Sequence, residues 1–549
     1  MRVPKLPFAV VALASLAFAQ SFPETQKAPA TGAVAIPGAD VPGADGSVDE
    51  AAVAFFLEEG LERSQVMEHL SWLCDVYGPR VTGSPNLRKA QSWSVDRFTK
   101  MGMTAGKEEW GPFGRGWRCD HISMSVVGDN PWTIIACAKA WSSGVNGRIV
   151  AEVVHAAAMT ADELKRADLD GKIVLVDDIR ELNEPFDGIS KRHDEQSLLK
   201  LADQLRVEAQ SSGDRAAGAR TRDSFRSGFQ KRMQMMAILA EKNPLAIIDR
   251  GSKGQYGTVF TTSASAVNAA DTPRADHKSA RDPDARVIPQ VTIAVEHYNR
   301  MCRVLAKGIA VKVALEMRVE YFDNEHDFNV VADLAGTDKQ EEFAMMGAHL
   351  DSWQSGTGAT DNGAGSAVVL EAARLIAAYC EKTGIRPRRT VRACLWSGEE
   401  QGLLGSRAFV RDHLGSREEQ KPEASLVSGY FNLDNGTGRI RGVYLQGNED
   451  VARVFRLWLR PFHGHDASTL TLDNTGGTDH LAFHGVGVPG FQFIQDEVSY
   501  NTMTHHSNMD NWDHAIADDL KQAAVIMATF VWQTAQREEQ LPRIANEGR

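Results

Sequence analysis

Cysteine is scarce in this chain: Cys74, Cys119, Cys137, Cys302, Cys380 and Cys394 are all there is in 549 residues, with no CxxC pair. That spacing excludes a sulfur-based metal site and is too sparse for a disulfide scaffold. Cys380 and Cys394 sit in apolar surroundings and read as buried thiols, while a Cys119–Cys137 bridge stays open. Basic charge is not in excess either, the formal net charge being −12, which argues against a nucleic-acid partner. The dense Arg and Lys between Lys191 and Arg232 alternate with Asp and Glu, as on a solvated helical face. No Gly-x-Ser-x-Gly and no His-Glu-x-x-His occurs, which removes the serine-nucleophile elbow and the single-helix zinc motif. Past the N-terminus no apolar run approaches transmembrane length, so no integral membrane segment is expected.

What is present begins with a leader. Arg2 and Lys5 precede an apolar run ending in Ala17-Phe18-Ala19, which predicts a signal peptide over 1–19 and a secreted or periplasmic protein. Residues 20–47, rich in Ala, Pro and Gly, read as a flexible linker. The length suggests several domains. Helical periodicity opens a first part over 48–141, interrupted by the turn-rich Gly78-Pro79-Arg80-Val81-Thr82-Gly83-Ser84-Pro85 and closing in β structure from about Trp117 to Ala138. Residues 142–320 read as an inserted module of short strands, including GKIVLVD near Gly171, a strand over Gly257 to Thr262, and IPQVTI near Ile288, with a helical insertion over 182–235. From 321 to 549 strands and helices alternate. The expected fold class is α/β: a mixed, mostly parallel sheet flanked by helices, with a small β-rich domain inserted.

The chemistry gathers where an α/β sheet carries its sites, just past strand ends. The apolar strand Phe343 to Ala348 runs into His349-Leu350-Asp351, Val391 to Trp396 runs into Ser397-Gly398-Glu399-Glu400, and Tyr430 to Leu433 stops at Asp434. Packing does not account for buried strands that each stop at a charge. With Asp361, in Thr360-Asp361-Asn362-Gly363, and the pair His505-His506, they offer a set of candidate metal ligands, one carboxylate of which must stay off the metal to act as general base. Two close cations need a bridging carboxylate, a part that suits Asp361. Asp351, two residues beyond His349, is placed to accept the ring's other N–H and fix its tautomer. Two imidazoles favour zinc over magnesium or calcium, so two zinc ions per chain are expected.

The segments His349-Leu350-Asp351-Ser352-Trp353, Thr360-Asp361-Asn362-Gly363-Ala364-Gly365, Ser397-Gly398-Glu399-Glu400-Gln401-Gly402 and His506-Ser507-Asn508-Met509-Asp510 resemble the co-catalytic zinc exopeptidases, which include bacterial leucyl aminopeptidases and plasma glutamate carboxypeptidase. The resemblance runs from about Val48 to Arg537. It implies that Glu399 is the general base, that His349 and Asp434 hold one metal, and that Glu400 and His506 hold the other with Asp361 shared. Spacing to Asp510 selects His506 over His505. Thr478-Asp479-His480 matches a segment near the substrate pocket, which puts Asp479 and His480 there. The 142–320 module resembles a protease-associated domain. One departure concerns the oxyanion: the tyrosine that leucyl aminopeptidases place before the Asp-His pair is missing from Asp473 to Gly477. The implied activity is a secreted aminopeptidase or dipeptidase acting on peptide or dipeptide substrates. A carboxypeptidase of the plasma glutamate carboxypeptidase type, a single-zinc cyclase on the same fold and a non-catalytic peptide-binding module stand as alternatives.

Overall fold

In the computed structural model, the described residues are 48–203, 234–268, 272–273, 276–323 and 326–544. The expected leader and linker, and most of the 182–235 insertion, lie outside them. Strand β1 (Thr104–Trp110) forms one edge of the main sheet. Eight further strands build a second sheet: β2 (Gly116–Val127), β3 (Trp132–Thr133), β4 (Ala136–Ala138), β5 (Ile149–His155), β6 (Ile173–Leu175), β7 (Ala246–Asp249), β8 (Gln290–Ile293) and β9 (Lys312–Phe322), in the order β3-β2-β9-β5-β6-β7-β8-β4. The chain then completes the main sheet with β10 (Asp327–Leu334), β11 (Lys339–His349), β12 (Arg389–Trp396), β13 (Val427–Asn432), β14 (Ile440–Tyr444), β15 (Thr469–Thr471) and β16 (Gly490–Gln495). Its order is β1-β10-β12-β11-β13-β16-β14-β15.

At the centre of the main sheet β12, β11, β13 and β16 run parallel. Their side chains alternate between two packed faces, as burial on both sides of a parallel sheet requires. Ala344, Met346, Ala348, Val391, Ala393 and Leu395 face the helices Glu50–Glu62, Ala364–Thr383 and Ala517–Gln536. Met345, Cys394, Trp396 and Tyr430 face a smaller cluster with Phe409 and Phe483. The one described stretch apolar and long enough to cross a membrane, Ala359–Thr383, is 78% buried inside this core. The expected mixed, mostly parallel α/β sheet with flanking helices is the fold observed.

Three details differ from the sequence expectation. The second sheet starts at Gly116, so β2, β3 and β4 lie in it rather than with the main sheet, because β2 pairs with β9 along almost its whole length. Residues 257–262 form no strand. They are an irregular strap that makes a single bridge, Phe260 to Ser507, with another just beyond it, Ala140 to Ser263. All six cysteines are free, so the Cys119–Cys137 bridge is not formed.

Candidate metal centre

His349 ends β11 with no exposed surface, and Ser366 Oγ donates to its carbonyl at 2.7 Å, tying the strand end to the helix Ala364–Thr383. The turn before that helix carries Asp361, and its approach is tight. Gly365 lets the helix start against β13: a Cβ there would lie 2.2 Å from the Leu433 carbonyl oxygen and 2.4 Å from Asn362 Oδ1. Asn362 Oδ1 accepts the Gly365 N–H at 2.9 Å, and its Nδ2 donates to Leu433 O, the residue before Asp434. Asp361 and Asp434 are thereby fixed to one another through backbone.

Around this frame the predicted ligands meet. His349 Nε2 is 3.3 Å from Asp361 Oδ1 and 3.4 Å from Asp434 Oδ1. The other oxygen of Asp361, Oδ2, is 3.1 Å from His506 Nε2, which in turn is 3.0 Å from Glu400 Oε2. Asp361 thus lies between two imidazoles with one oxygen toward each. Glu399 faces the same space, its Oε2 3.9 Å from His349 Nε2. His349 Nε2, Asp361 Oδ2, Glu400 Oε1 and Asp434 Oδ1 are all buried without a hydrogen-bond partner. Buried polar atoms left bare are costly, and the ligand atoms of His349, Asp361 and Asp434 all lie within 4.8 Å of one another, as do those of Asp361, His505 and His506, two groups of imidazole and carboxylate that fit a cation site with the donor set of catalytic zinc. The electrostatics agree. Burial, with the charge of Asp361 added, pushes Glu400 up to about 8 against the pull of His506. Burial also lifts Glu399 well above the usual carboxylate range, opposed by His349 and helped by Asp434, Asp479 and Glu400.

Asp351 departs from its expected part. The nearer contact to His349 Nδ1 is the Asp351 carbonyl, at 3.0 Å, whereas its carboxylate stands at 3.6 Å. That carboxylate is turned instead to Thr82 Oγ1 (2.9 Å) and to the amides of Glu399 (3.2 Å) and Glu400 (3.4 Å), so it orients the turn carrying base and ligand. Asp479 is fully buried beside Ser406, with Oδ2 unpartnered, and burial pushes it up to about 7. His480 bonds Thr475 O and Gln446 rather than any of the five ligand residues, and burial holds it down at about 4.

Several participants escaped the sequence reading. His505 packs against His506 with ring centroids 3.7 Å apart and planes tilted by 34°, and brings Nε2 within 3.7 Å of Asp361 Oδ2, so the pair is not separated in space as it was by spacing. Tyr500, whose ring is 4.7 Å from that of His505, puts a tyrosine in the neighbourhood from another segment. Arg80 is fully buried and donates to Leu350 O, Leu73 O, Thr357 O and Gly358 O at 2.7–2.8 Å, clamping the segments after His349 and before Asp361. Asp510 accepts the Thr360 amide at 2.5 Å, and its carbonyl accepts those of Thr357 and Gly358. The only sequence signal for the clamp was the turn-rich segment around Arg80.

Residues 329–531 match the model of peptidase family M28. Carboxypeptidase Q of Pongo abelii is 26% identical over 495 residues, 88% of each chain. Among solved structures, a peptidase M28 precursor from Shewanella amazonensis superposes with a TM-score of 0.62 at 22% identity, over 90% of this chain and 99% of that one. A zinc aminopeptidase from Bacillus subtilis gives 0.53 at 18% identity, over 86% and 95%. The likeness of these structures is one of fold, and the segment bearing all five candidate ligands is the segment the family model covers. Similarity to peptidase family M28 thus covers residues 329–531, which carry all five candidate ligands.

Proposed function

We propose that the protein is a zinc-dependent exopeptidase holding two ions, one by His349 and Asp434, the other by Glu400 and His506, with Asp361 shared between them. The observation that carries this reading is the division of Asp361, one oxygen toward each imidazole, among bare buried donor atoms. Zinc bound there supplies Lewis acidity, polarising the scissile carbonyl and making the attacking water easier to deprotonate. The chain's own residues do the rest. Glu399 takes the proton of the attacking water on Oε2 and delivers it to the leaving amine as the C–N bond breaks. Asp351 keeps Glu399 and Glu400 in place through their amides. Arg80 and Asp510 hold the Thr357–Asp361 approach rigid. The second sheet, read as a protease-associated domain, borders the cleft beside His506. The 1–19 leader fits export.

The test is Glu399→Gln. Zinc content stays at two ions per chain while turnover of short peptides falls by about 10²–10⁴-fold, the usual loss for a general base. Undiminished turnover with zinc in place would remove Glu399 from the mechanism. A content of one zinc ion would favour the cyclase-type alternative.

A further inference from the structure

A cleft of about 670 Å³ is lined by His505 and His506 together with Lys139, Asp249, Arg250 and Lys253. Lys139 and Asp249 neutralise one another at 2.9 Å. Arg250 is committed to the carbonyls of Asp178 and Gly251. Lys253 differs. Among the described residues no carboxylate lies within ion-pair distance of it, and Nζ gives one of its three N–H groups to Asn501 O at 2.7 Å while lying 4.4 Å from the centre of the Phe260 ring. It is half-buried, and burial holds its ammonium below the ordinary lysine range.

The loop bearing Lys253 is built in place. Arg180 donates to Ser252 O and Gly254 O. Gly251 and Gly254 have φ of +67° and +98°, and a Cβ at either would meet a backbone carbonyl oxygen at 2.7 or 2.6 Å. The strap that follows is laced to the ligand loop: Thr261 N to His506 O (3.0 Å), Val259 N to Asn508 Oδ1 (2.7 Å) and Asn508 N to Val259 O (3.2 Å). Asn501, the partner of Nζ, belongs to the same segment as His505 and His506. A cation with no ion-pair partner among the described residues, felt only at longer range by the charges of Glu497 and Asp361, is therefore held in a fixed relation to a candidate metal ligand, on a cleft that a substrate residue can occupy.

We propose that Lys253 is a specificity-determining residue that pairs with the free α-carboxylate of the substrate, so that the preferred substrates are dipeptides and short peptides cleaved next to their C-terminal carboxylate. The inference rests on the exopeptidase reading and narrows it. An exopeptidase must locate a chain end, and a carboxylate about one residue length, roughly 3.6 Å, beyond the scissile bond has a charge that a neutral amide lacks. A carboxylate on Nζ takes up the donors left over from Asn501 and replaces the water that burial has removed.

The experiment compares alanyl-alanine with alanyl-alanine amide. Equilibrium binding is measured by calorimetry on zinc-loaded Glu399→Gln protein, and kcat/KM on the unsubstituted enzyme, each alone and with Lys253→Met or Lys253→Arg. The acid is expected to bind about 10- to 100-fold more tightly than the amide, Lys253→Met to bring that ratio to near one, and Lys253→Arg to keep most of it. Retention of the full preference by Lys253→Met would overturn the assignment, as would equal treatment of acid and amide by the unsubstituted enzyme. Failure of the zinc-loaded enzyme to hydrolyse either compound would instead overturn the exopeptidase reading, and this proposal with it.

Discussion

Arg80 offers the sharpest test of how the candidate site is held together. Its guanidinium is fully buried, and its four hydrogen bonds all end on main-chain oxygens, at Leu73, Leu350, Thr357 and Gly358. Two of these acceptors flank the approach to Asp361 and one follows His349. Arg80→Met fills a similar volume but removes the donor from all four oxygens, of which Gly358 O keeps a further partner, the Gly363 amide at 2.9 Å. At about 1 kcal/mol for each of the other three, the low end for a buried group left unmet, the cost is about 3 kcal/mol. Arg80→Lys presents its donors from one point rather than a fork, so at least one oxygen is bared, for about 1–2 kcal/mol. Urea unfolding of the zinc-loaded protein measures the stability difference, and chelator dialysis followed by metal analysis measures retention. We expect the order parent, Lys, Met in both assays. If Arg80→Met unfolds within about 1 kcal/mol of the parent and keeps its zinc equally well, the clamp is not what positions the ligands.

Gly365→Ala tests the close approach beneath Asp361. Its Cβ would fall 2.2 Å from the Leu433 oxygen, a backbone clash that costs about 3 kcal/mol, and zinc retention should fall with it. The third prediction concerns pH. His413 lies between Glu108 at 2.8 Å and Glu423 at 3.1 Å, and those two bonds raise its pKa to about 9. The stabilisation is fully present below about 6.5 and fades as pH rises toward 9. With the ring one-third exposed, screening reduces it to about 1 kcal/mol, so melting curves of parent and His413→Gln should converge by pH 9.5 and diverge below pH 6.5.

The central strands and the charged residues that close them were legible because two signals coincide there. A fully buried parallel strand reads as an unbroken apolar run, and a charge closing it has no packing explanation. Elsewhere one signal was missing. β1, Thr-Ala-Gly-Lys-Glu-Glu-Trp, is an exposed edge whose polar side chains hide its pairing with β10. Residues 257–262 carry the β-branched and aromatic composition of a strand, yet their amide and carbonyl partners lie in the His506 loop. Asp351 was rightly placed beside His349, but spacing cannot tell which of its oxygens turns to the ring, and here the carbonyl does. The parts of Arg80 and Lys253 depend on contacts across hundreds of residues, with main-chain oxygens that leave no trace in side-chain pattern.

The lacing of the Val259–Thr261 strap to the His506 loop has a mechanical consequence. Four of the five candidate ligands ride on the main sheet or the turns leaving it, whereas the fifth is moored to the neighbouring layer. A swing of that layer would pull on one imidazole alone, so under the proposed two-ion reading the grip on the second cation and the width of the cleft beside it would be set by a single displacement.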